Sequence, residues 1–86
     1  MLTKSKMIQY IYKVLLLFED VQDVNSEVTE SDYRSYLNRM FVLFSKEAEI
    51  TQYVGGLIDL GADATHANVK ASVFHMIKLI DKGVEV

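Results

Sequence analysis

No proline occurs anywhere in the 86 residues of this chain, so no position is closed to an α-helix. Only four glycines are present to interrupt one. Apolar residues recur three and four positions apart along most of the sequence, which is the spacing that places them on one face of a helix. We therefore predict an all-α fold, built as a small bundle of three to four antiparallel helices.

Length and composition narrow the possibilities further. Eighty-six residues are enough for one hydrophobic core but not for two, so residues 1–86 are predicted to form a single helical domain. Half of the residues are hydrophobic, which is too high a fraction for a disordered chain. Cysteine is absent, and its absence excludes disulfides, thiolate metal sites and a cysteine nucleophile.

The helical pattern divides the chain into four segments. The predicted helices cover about residues 4–24, 31–44, 46–60 and 65–82. Their apolar stripes are, in chain order, Met7, Ile8, Ile11, Val14, Leu15, Phe18 and Val21; Tyr33, Leu37, Met40, Phe41 and Phe44; Ile50, Val54, Leu57 and Ile58; and Val69, Val73, Met76, Ile77 and Ile80.

Capping residues support these boundaries, because short polar side chains accept hydrogen bonds from the free N–H groups of a first helical turn. The candidate N-terminal caps are, in chain order, Thr3, Thr29 or Ser31, Ser45, and Asp63 or Thr65. Gly61 and Gly83 are predicted to end the third and fourth helices.

Two features in the middle of the chain each allow two structural interpretations. The apolar residues after Ser45 lie about 80° around the helix from those before it, so we predict a break near Ser45, with one bent continuous helix as the alternative. Gly55 and Gly56 together cost a helix about 2 kcal/mol relative to alanine. We expect another helix to pack closely against this bare backbone, and a functional hinge is the alternative.

The sequence contains fragments of two ligand-binding loops, and neither is complete. Residues 56–61 have the glycine spacing of a phosphate-binding loop, but Ala62 and Asp63 follow where Lys and Ser or Thr are required. Residues 23–27 carry the first ligands of a calcium loop, but Val28 and Arg34 occupy the positions that need Gly and Glu. Both motifs are therefore rejected.

The two histidines do not form a metal site, because a separation of nine residues would place them on opposite sides of a shared helix. We expect His66 to be a capping or boundary residue within reach of Asp63, and His75 to be solvated. No nucleophile, base and acid are spaced as a catalytic triad. We predict no enzyme, no cofactor, no metal and no small-molecule ligand. The least favoured alternative is a small enzyme subunit or metal protein.

The charge balance argues against a nucleic-acid partner. Nine Lys and Arg residues against twelve Asp and Glu give a formal net charge of −3, whereas nucleic-acid binding needs a basic surface. The alternative function is a nucleic-acid-binding transcriptional regulator that reads DNA with its fourth helix. The basic residues available for it are Lys70, His75, Lys78 and Lys82.

The longest unbroken apolar run, residues 14–18, is far shorter than the roughly 20 residues of a membrane-spanning helix. We therefore predict no membrane span and a cytoplasmic protein.

Residues 19–32 form an acidic stretch, with six acids and no base. This acidic stretch could contact a basic partner.

The first helix carries more apolar surface than one small core needs. Its polar strip is narrow, with Leu16 near the middle, and Tyr10, Tyr12 and Leu17 flank the core stripe. Exposed patches of this extent mark partner sites. The candidate interaction residues are Tyr10, Tyr12, Leu16, Leu17, Glu19, Asp20 and Asp23.

The predicted function is therefore that of a small non-enzymatic protein that binds another protein, itself, or both, with a homodimer as the expected oligomer. Antitoxins, immunity proteins and phage-encoded inhibitors include small acidic helical proteins of this kind. This bacterial or phage-like comparison is an analogy of size and class alone.

Overall fold

A computed structural model describes residues 3–84, with side chains as far as Lys82. Four helices make up this part of the chain: α1 (Lys4–Gln22), α2 (Glu30–Leu43), α3 (Ala48–Leu60) and α4 (His66–Val84). A single 3₁₀ turn, Gly61–Asp63, joins α3 to α4. The prediction of a small all-α bundle is confirmed.

The first two helix starts follow the capping pattern. Thr3 caps α1, its hydroxyl accepting a hydrogen bond from the Lys6 N–H at 3.1 Å. Of the two candidates for α2, the cap is Thr29, which accepts from the Asp32 N–H at 3.2 Å while the Asp32 carboxylate accepts from the Thr29 N–H at 3.0 Å. This reciprocal capping box satisfies two otherwise free backbone donors.

The predicted break near Ser45 is confirmed, but the predicted cap at Ser45 is wrong. The chain is still turning there, with the Ser45 N–H donating to the Val42 carbonyl at 3.2 Å. Helix α3 begins only at Ala48, and Glu47 stands at its N-cap position without a side-chain capping bond. The predicted start at residue 46 was therefore two residues early.

The outcome at the other boundaries is mixed. Helix α1 ends at Gln22 rather than 24, because Asp23 turns extended and its carboxylate accepts the Asn25 N–H at 2.9 Å. Thr65 caps α4 by accepting the Asn68 N–H at 3.2 Å. The predicted stop at Gly83 is wrong, since α4 continues through it to Val84. A single glycine lowers helix propensity by only about 1 kcal/mol.

The four helices form a closed ring in which each packs against two others, α1 and α3 both lying beside α2 and α4. Opposite ends of α1 and α4 meet: Lys4 pairs with Asp81 and Glu19 with His66. These two helices are therefore antiparallel. The bundle measures 43 × 22 × 22 Å.

The core consists of side chains from the predicted stripes. The buried residues are Ile11, Val14, Leu15, Phe18, Tyr33, Leu37, Met40, Phe44, Ile50, Val54, Leu57, Val69, Val73, Met76 and Ile80. Phe41, which the second stripe also included, is 45% exposed instead, and its ring lies beside Gly55 of α3 rather than in the core.

Gly55, Gly56 and Gly61, whose surroundings the structure describes, differ in whether their positions could hold a side chain. A Cβ on Gly55 would lie 3.5 Å from the Phe41 ring, an ordinary van der Waals distance, and a Cβ on Gly56 would meet nothing within 4 Å. The expected close packing against this pair is therefore absent at Gly56, and α3 runs through both residues without interruption. Gly61 has φ +52°, a conformation that side-chain-bearing residues rarely adopt, as predicted for a helix end.

Replacing Gly56 with alanine should stabilise the fold by about 1 kcal/mol, because alanine lowers the entropy of the unfolded chain and fits the open space. The matched control is Gly61→Ala, which should destabilise the protein by about 1 kcal/mol through backbone strain at positive φ. Urea unfolding followed by circular dichroism measures both changes. Destabilisation by Gly56→Ala would contradict the open space around Gly56, because it would mean that another group packs where the alanine Cβ would lie.

Candidate protein-interaction surface

An exposed apolar surface crosses the boundary between α1 and α4. The rings of Tyr12 and Phe74 have centroids 6.5 Å apart and are tilted by 58°. Tyr12 is 40% exposed, Phe74 46%, and Leu16, one turn after Tyr12 on the same side of α1, 44%. We call these three residues the apolar patch.

A salt bridge and a histidine–carboxylate hydrogen bond lie beyond the apolar patch, one at each end of the α1–α4 pair. Lys4 Nζ is 3.2 Å from Asp81 Oδ1, and His66 Nε2 is 2.8 Å from Glu19 Oε2. All four side chains are about half exposed, so these pairs add little free energy. Their positions show the register in which the two helices pack. The expected His66–Asp63 contact is replaced by Glu19, because antiparallel packing brings the end of α1 beside the start of α4.

The predicted candidates on α1 divide into two groups. Tyr12 and Leu16 belong to the apolar patch, whereas Tyr10 lies on the α2 side, where its carbonyl accepts the Tyr36 hydroxyl at 2.8 Å. Leu17 is half-buried and packs against the core. The three predicted acids stand at the end of α1: Glu19 is paired with His66, while Asp20 and Asp23 are exposed.

Phe74 was missed in the sequence reasoning, although a signal for it exists. It stands one turn from Lys70 and one turn from Lys78, and therefore on the charged side of α4 rather than in its apolar stripe. A large aromatic residue on a charged helix face is either exposed or covered by a partner. Only the packing of α4 on α1 shows that Phe74 joins Tyr12.

Three further apolar residues are exposed at the end of α2, but they do not form one surface. Phe41, Val42 and Leu43 are consecutive, so each points about 100° away from the next. Phe41 faces α3, and Val42, 72% exposed, stands alone towards solvent. The apolar patch on α1 and α4 is thus the better candidate for a binding surface.

The basic side of α4 gives limited support to nucleic-acid recognition. Lys70, Lys78 and Lys82 are exposed, but Phe74 lies among them. His75, expected to be solvated, is exposed yet has its ring 4.6 Å from that of Tyr53 on α3. Because Ile50 near the start of α3 lies close to Ile80 near the end of α4, the two helices run side by side. A DNA-binding helix-turn-helix crosses at a much steeper angle.

Two tyrosines of α2 lie at the boundary with α1 and differ in their hydrogen bonds. Tyr33 is buried against Phe18, with ring centroids 5.4 Å apart, and its hydroxyl has no protein partner. It lines a cavity of about 90 Å³ beside the 3₁₀ turn. Tyr36 is half-buried, donates its hydroxyl hydrogen bond to the Tyr10 carbonyl, and lies under Lys13 Nζ, 5.6 Å from the ring centroid.

Burial raises the pKa of both tyrosines to about 12 because it disfavours the phenolate. For Tyr36 the neighbouring Tyr10 raises the pKa further and Arg39 opposes it. These groups stay neutral at ordinary pH, which suits a structural role and not acid–base chemistry.

Comparison with protein-family models, with curated proteins and with solved structures finds no match for the chain. Among the described residues, no group of three His, Asp or Glu side chains is close enough to hold a metal ion. None of the helices, over the residues described, combines the length and hydropathy of a membrane-spanning segment.

The two tyrosines give a matched pair of substitutions. Tyr36→Phe removes a hydrogen bond and should destabilise the protein by about 1 kcal/mol. Tyr33→Phe removes a buried hydroxyl that has no protein partner, so the free energy of unfolding should stay the same or rise. Urea titration at neutral pH measures both. Equal losses in the free energy of unfolding of the two variants would mean that the Tyr33 hydroxyl is hydrogen-bonded, for example to water in the cavity.

Stability should fall as the pH rises above 10. An unfolded tyrosine loses its proton near pH 10, whereas folded Tyr33 keeps its proton until about pH 12, so the folded state binds more protons in this window. The tyrosine's contribution is fully present below pH 10 and disappears as the pH passes 12. Other groups titrate here too, so the measurement is the difference between the protein and Tyr33→Phe, whose stability should fall less steeply. Parallel curves would contradict the assignment.

Proposed function

We propose that this chain is a small non-enzymatic helical protein that acts by protein–protein interaction, and that it self-associates through the apolar patch. The observation that carries the proposal is the exposed cluster of Tyr12, Leu16 and Phe74 across two adjoining helices. Its regulatory role would be of the antitoxin, immunity-protein or phage-inhibitor kind. Its location would be the cytoplasm, because a chain without cysteine forms no disulfides and needs no oxidising compartment.

The physical argument is the free energy gained when this apolar surface is removed from water. Burial of apolar area is favourable by about 25 cal/mol for each Å², and aromatic side chains contribute the largest areas. Tyrosine and phenylalanine are enriched in the central parts of protein interfaces, where a few large side chains supply most of the affinity. The apolar patch presents two rings and a leucine together, with polar groups around them.

Sedimentation equilibrium from low to high micromolar concentration tests the proposal. The protein should self-associate, and Phe74→Ser should raise the dissociation constant about tenfold or more by removing the most exposed ring of the patch. Val42→Ser is the matched control, because Val42 is also apolar and is more exposed than Phe74 but lies on α2 away from the patch. Circular dichroism confirms that both variants fold.

A protein that stays monomeric at high micromolar concentration would contradict self-association. Equal weakening by Phe74→Ser and Val42→Ser would contradict the role of the apolar patch.

The alternative function, a nucleic-acid-binding regulator with α4 as the reading helix, has support only from the exposed lysines of α4. An electrophoretic shift with duplex DNA at low salt distinguishes it. Binding that weakens steeply with added salt and is lost in Lys70→Glu would favour this alternative over the proposal.

A further inference from the structure

We infer that the protein has a second binding surface, a basic cleft between α1 and α2, and that this cleft takes a short acidic segment of a partner protein. The basic cleft is the hollow of about 230 Å³ lined by Lys6, Gln9, Tyr10, Lys13 and Tyr36. The inference goes beyond self-association through the apolar patch and does not depend on it.

The first observation is the charge around the basic cleft. Lys6 and Lys13 are exposed and stand two helical turns apart on the same side of α1. A third cation, Arg39, lies one turn after Tyr36 on the same side of α2. Its charge opposes the rise in the pKa of Tyr36, so it is close to that tyrosine. Three positive charges therefore surround one hollow, and no acid is among the described residues that line it.

These charges are not neutralised by salt bridges within the described part of the chain. The bridges found there include neither Lys6, Lys13 nor Arg39. Lys4, only two residues before Lys6, instead lies beside α4 and pairs with Asp81. The basic cleft can therefore offer its positive charges to a ligand, although the net charge of the chain is −3.

Part of the basic cleft is held in place before any ligand binds. The Tyr36 hydroxyl donates to the Tyr10 carbonyl at 2.8 Å, which anchors the ring across the boundary between α1 and α2. Lys13 Nζ lies over this ring, 5.6 Å from its centroid, in a cation–π contact. Because Lys13 is already positioned, binding an anion costs it less side-chain entropy than it would cost a free lysine.

The hydrogen-bond donors of the basic cleft favour carboxylates over phosphate. Phosphate sites in proteins commonly use free backbone N–H groups at helix N-termini. Here the Lys6 N–H already donates to Thr3, and the other lining residues lie inside α1 and α2, where N–H groups are bonded within the helix. The remaining donors are ammonium groups, a guanidinium and the Gln9 amide, which bind carboxylates directly.

Two nearby acids limit the length of an anionic ligand. Asp20 is seven residues, about 10 Å, beyond Lys13 on α1. Asp32 lies one turn before Tyr36 on α2 and is exposed, with its carboxylate accepting the Thr29 N–H at 3.0 Å. Both acids lie at the end of the cleft where α1 ends and α2 begins, so they repel an anion that extends past Lys13. A segment with a few acids therefore fits better than a nucleic-acid strand, which is charged at every nucleotide.

The basic cleft and the apolar patch lie on different sides of α1. Lys13 directly follows Tyr12 and so points about 100° away from it. Tyr12 contacts Phe74 of α4, whereas Lys13 lies over Tyr36 of α2. The two surfaces can therefore be altered by separate substitutions.

Fluorescence anisotropy with a labelled hexaglutamate peptide tests the inference, and hexaglutamine with the same label is the reference probe. The glutamate peptide should bind about tenfold or more tightly than the glutamine peptide at low salt, and its binding should weaken as salt is added. Lys13→Glu should weaken binding of the glutamate peptide about tenfold, because it removes the positioned cation and adds repulsion. Lys70→Glu makes the same charge change on an exposed lysine of α4 and should leave the dissociation constant within about threefold. Circular dichroism confirms that both variants fold.

Equal binding of the two peptides would overturn the acidic ligand. Equal weakening by Lys13→Glu and Lys70→Glu would overturn the basic cleft as its site, since it would show a general attraction to the whole chain. Competition provides a further check. If oligothymidylate of equal charge displaces the labelled peptide at a lower concentration than unlabelled hexaglutamate does, the cleft binds nucleic acid and the inference is wrong.

The same measurements separate this inference from the proposed self-association. Phe74→Ser, which should weaken self-association, should leave the affinity for hexaglutamate within about threefold, because Phe74 is not part of the basic cleft. A monomer that binds the peptide through Lys13 contradicts self-association and supports the basic cleft. A dimer that binds no acidic peptide supports self-association and overturns the basic cleft.

Discussion

The antiparallel pairing of α1 with α4 is the constraint on which the rest of this structure depends. Both helices are 19 residues long, and they are the first and last helices of the described residues. Their contact closes the ring of four helices and buries Ile11 and Val14 of α1 beside Val73 and Met76 of α4 in a common core. The same pairing brings Tyr12 to Phe74 and Glu19 to His66. The core and the candidate surface therefore have one geometric origin.

The sequence predicted the core well because burial in a helical bundle follows local periodicity. Every buried residue of the described chain belongs to one of the four predicted stripes. Local chemistry also located Thr29 and Gly61, since a capping box and a positive φ depend on neighbouring residues. It failed at Ser45 and Gly83, where a turn and a long helix override weak local preferences.

The candidate site was only half predictable for a related reason. Tyr12 and Leu16 stood out because they share one helix with too much apolar surface. Phe74 and the Glu19–His66 pair depend on contacts between positions 47 to 62 residues apart, which no local pattern encodes. The acids of the α1–α2 and α3–α4 connections similarly come to one end of the bundle only after the helices fold back on one another.

The pairing of the first and last helices also has a consequence for synthesis. A ribosome releases α1 long before α4, so the nascent chain carries an amphipathic helix whose main packing partner does not yet exist. Helix α2 can pack on α1, and α3 on α2, before α4 is made, but the core face that α4 covers stays open to solvent until α4 has left the ribosome. Docking of α4 then closes the ring of four helices through contacts between residues far apart in sequence.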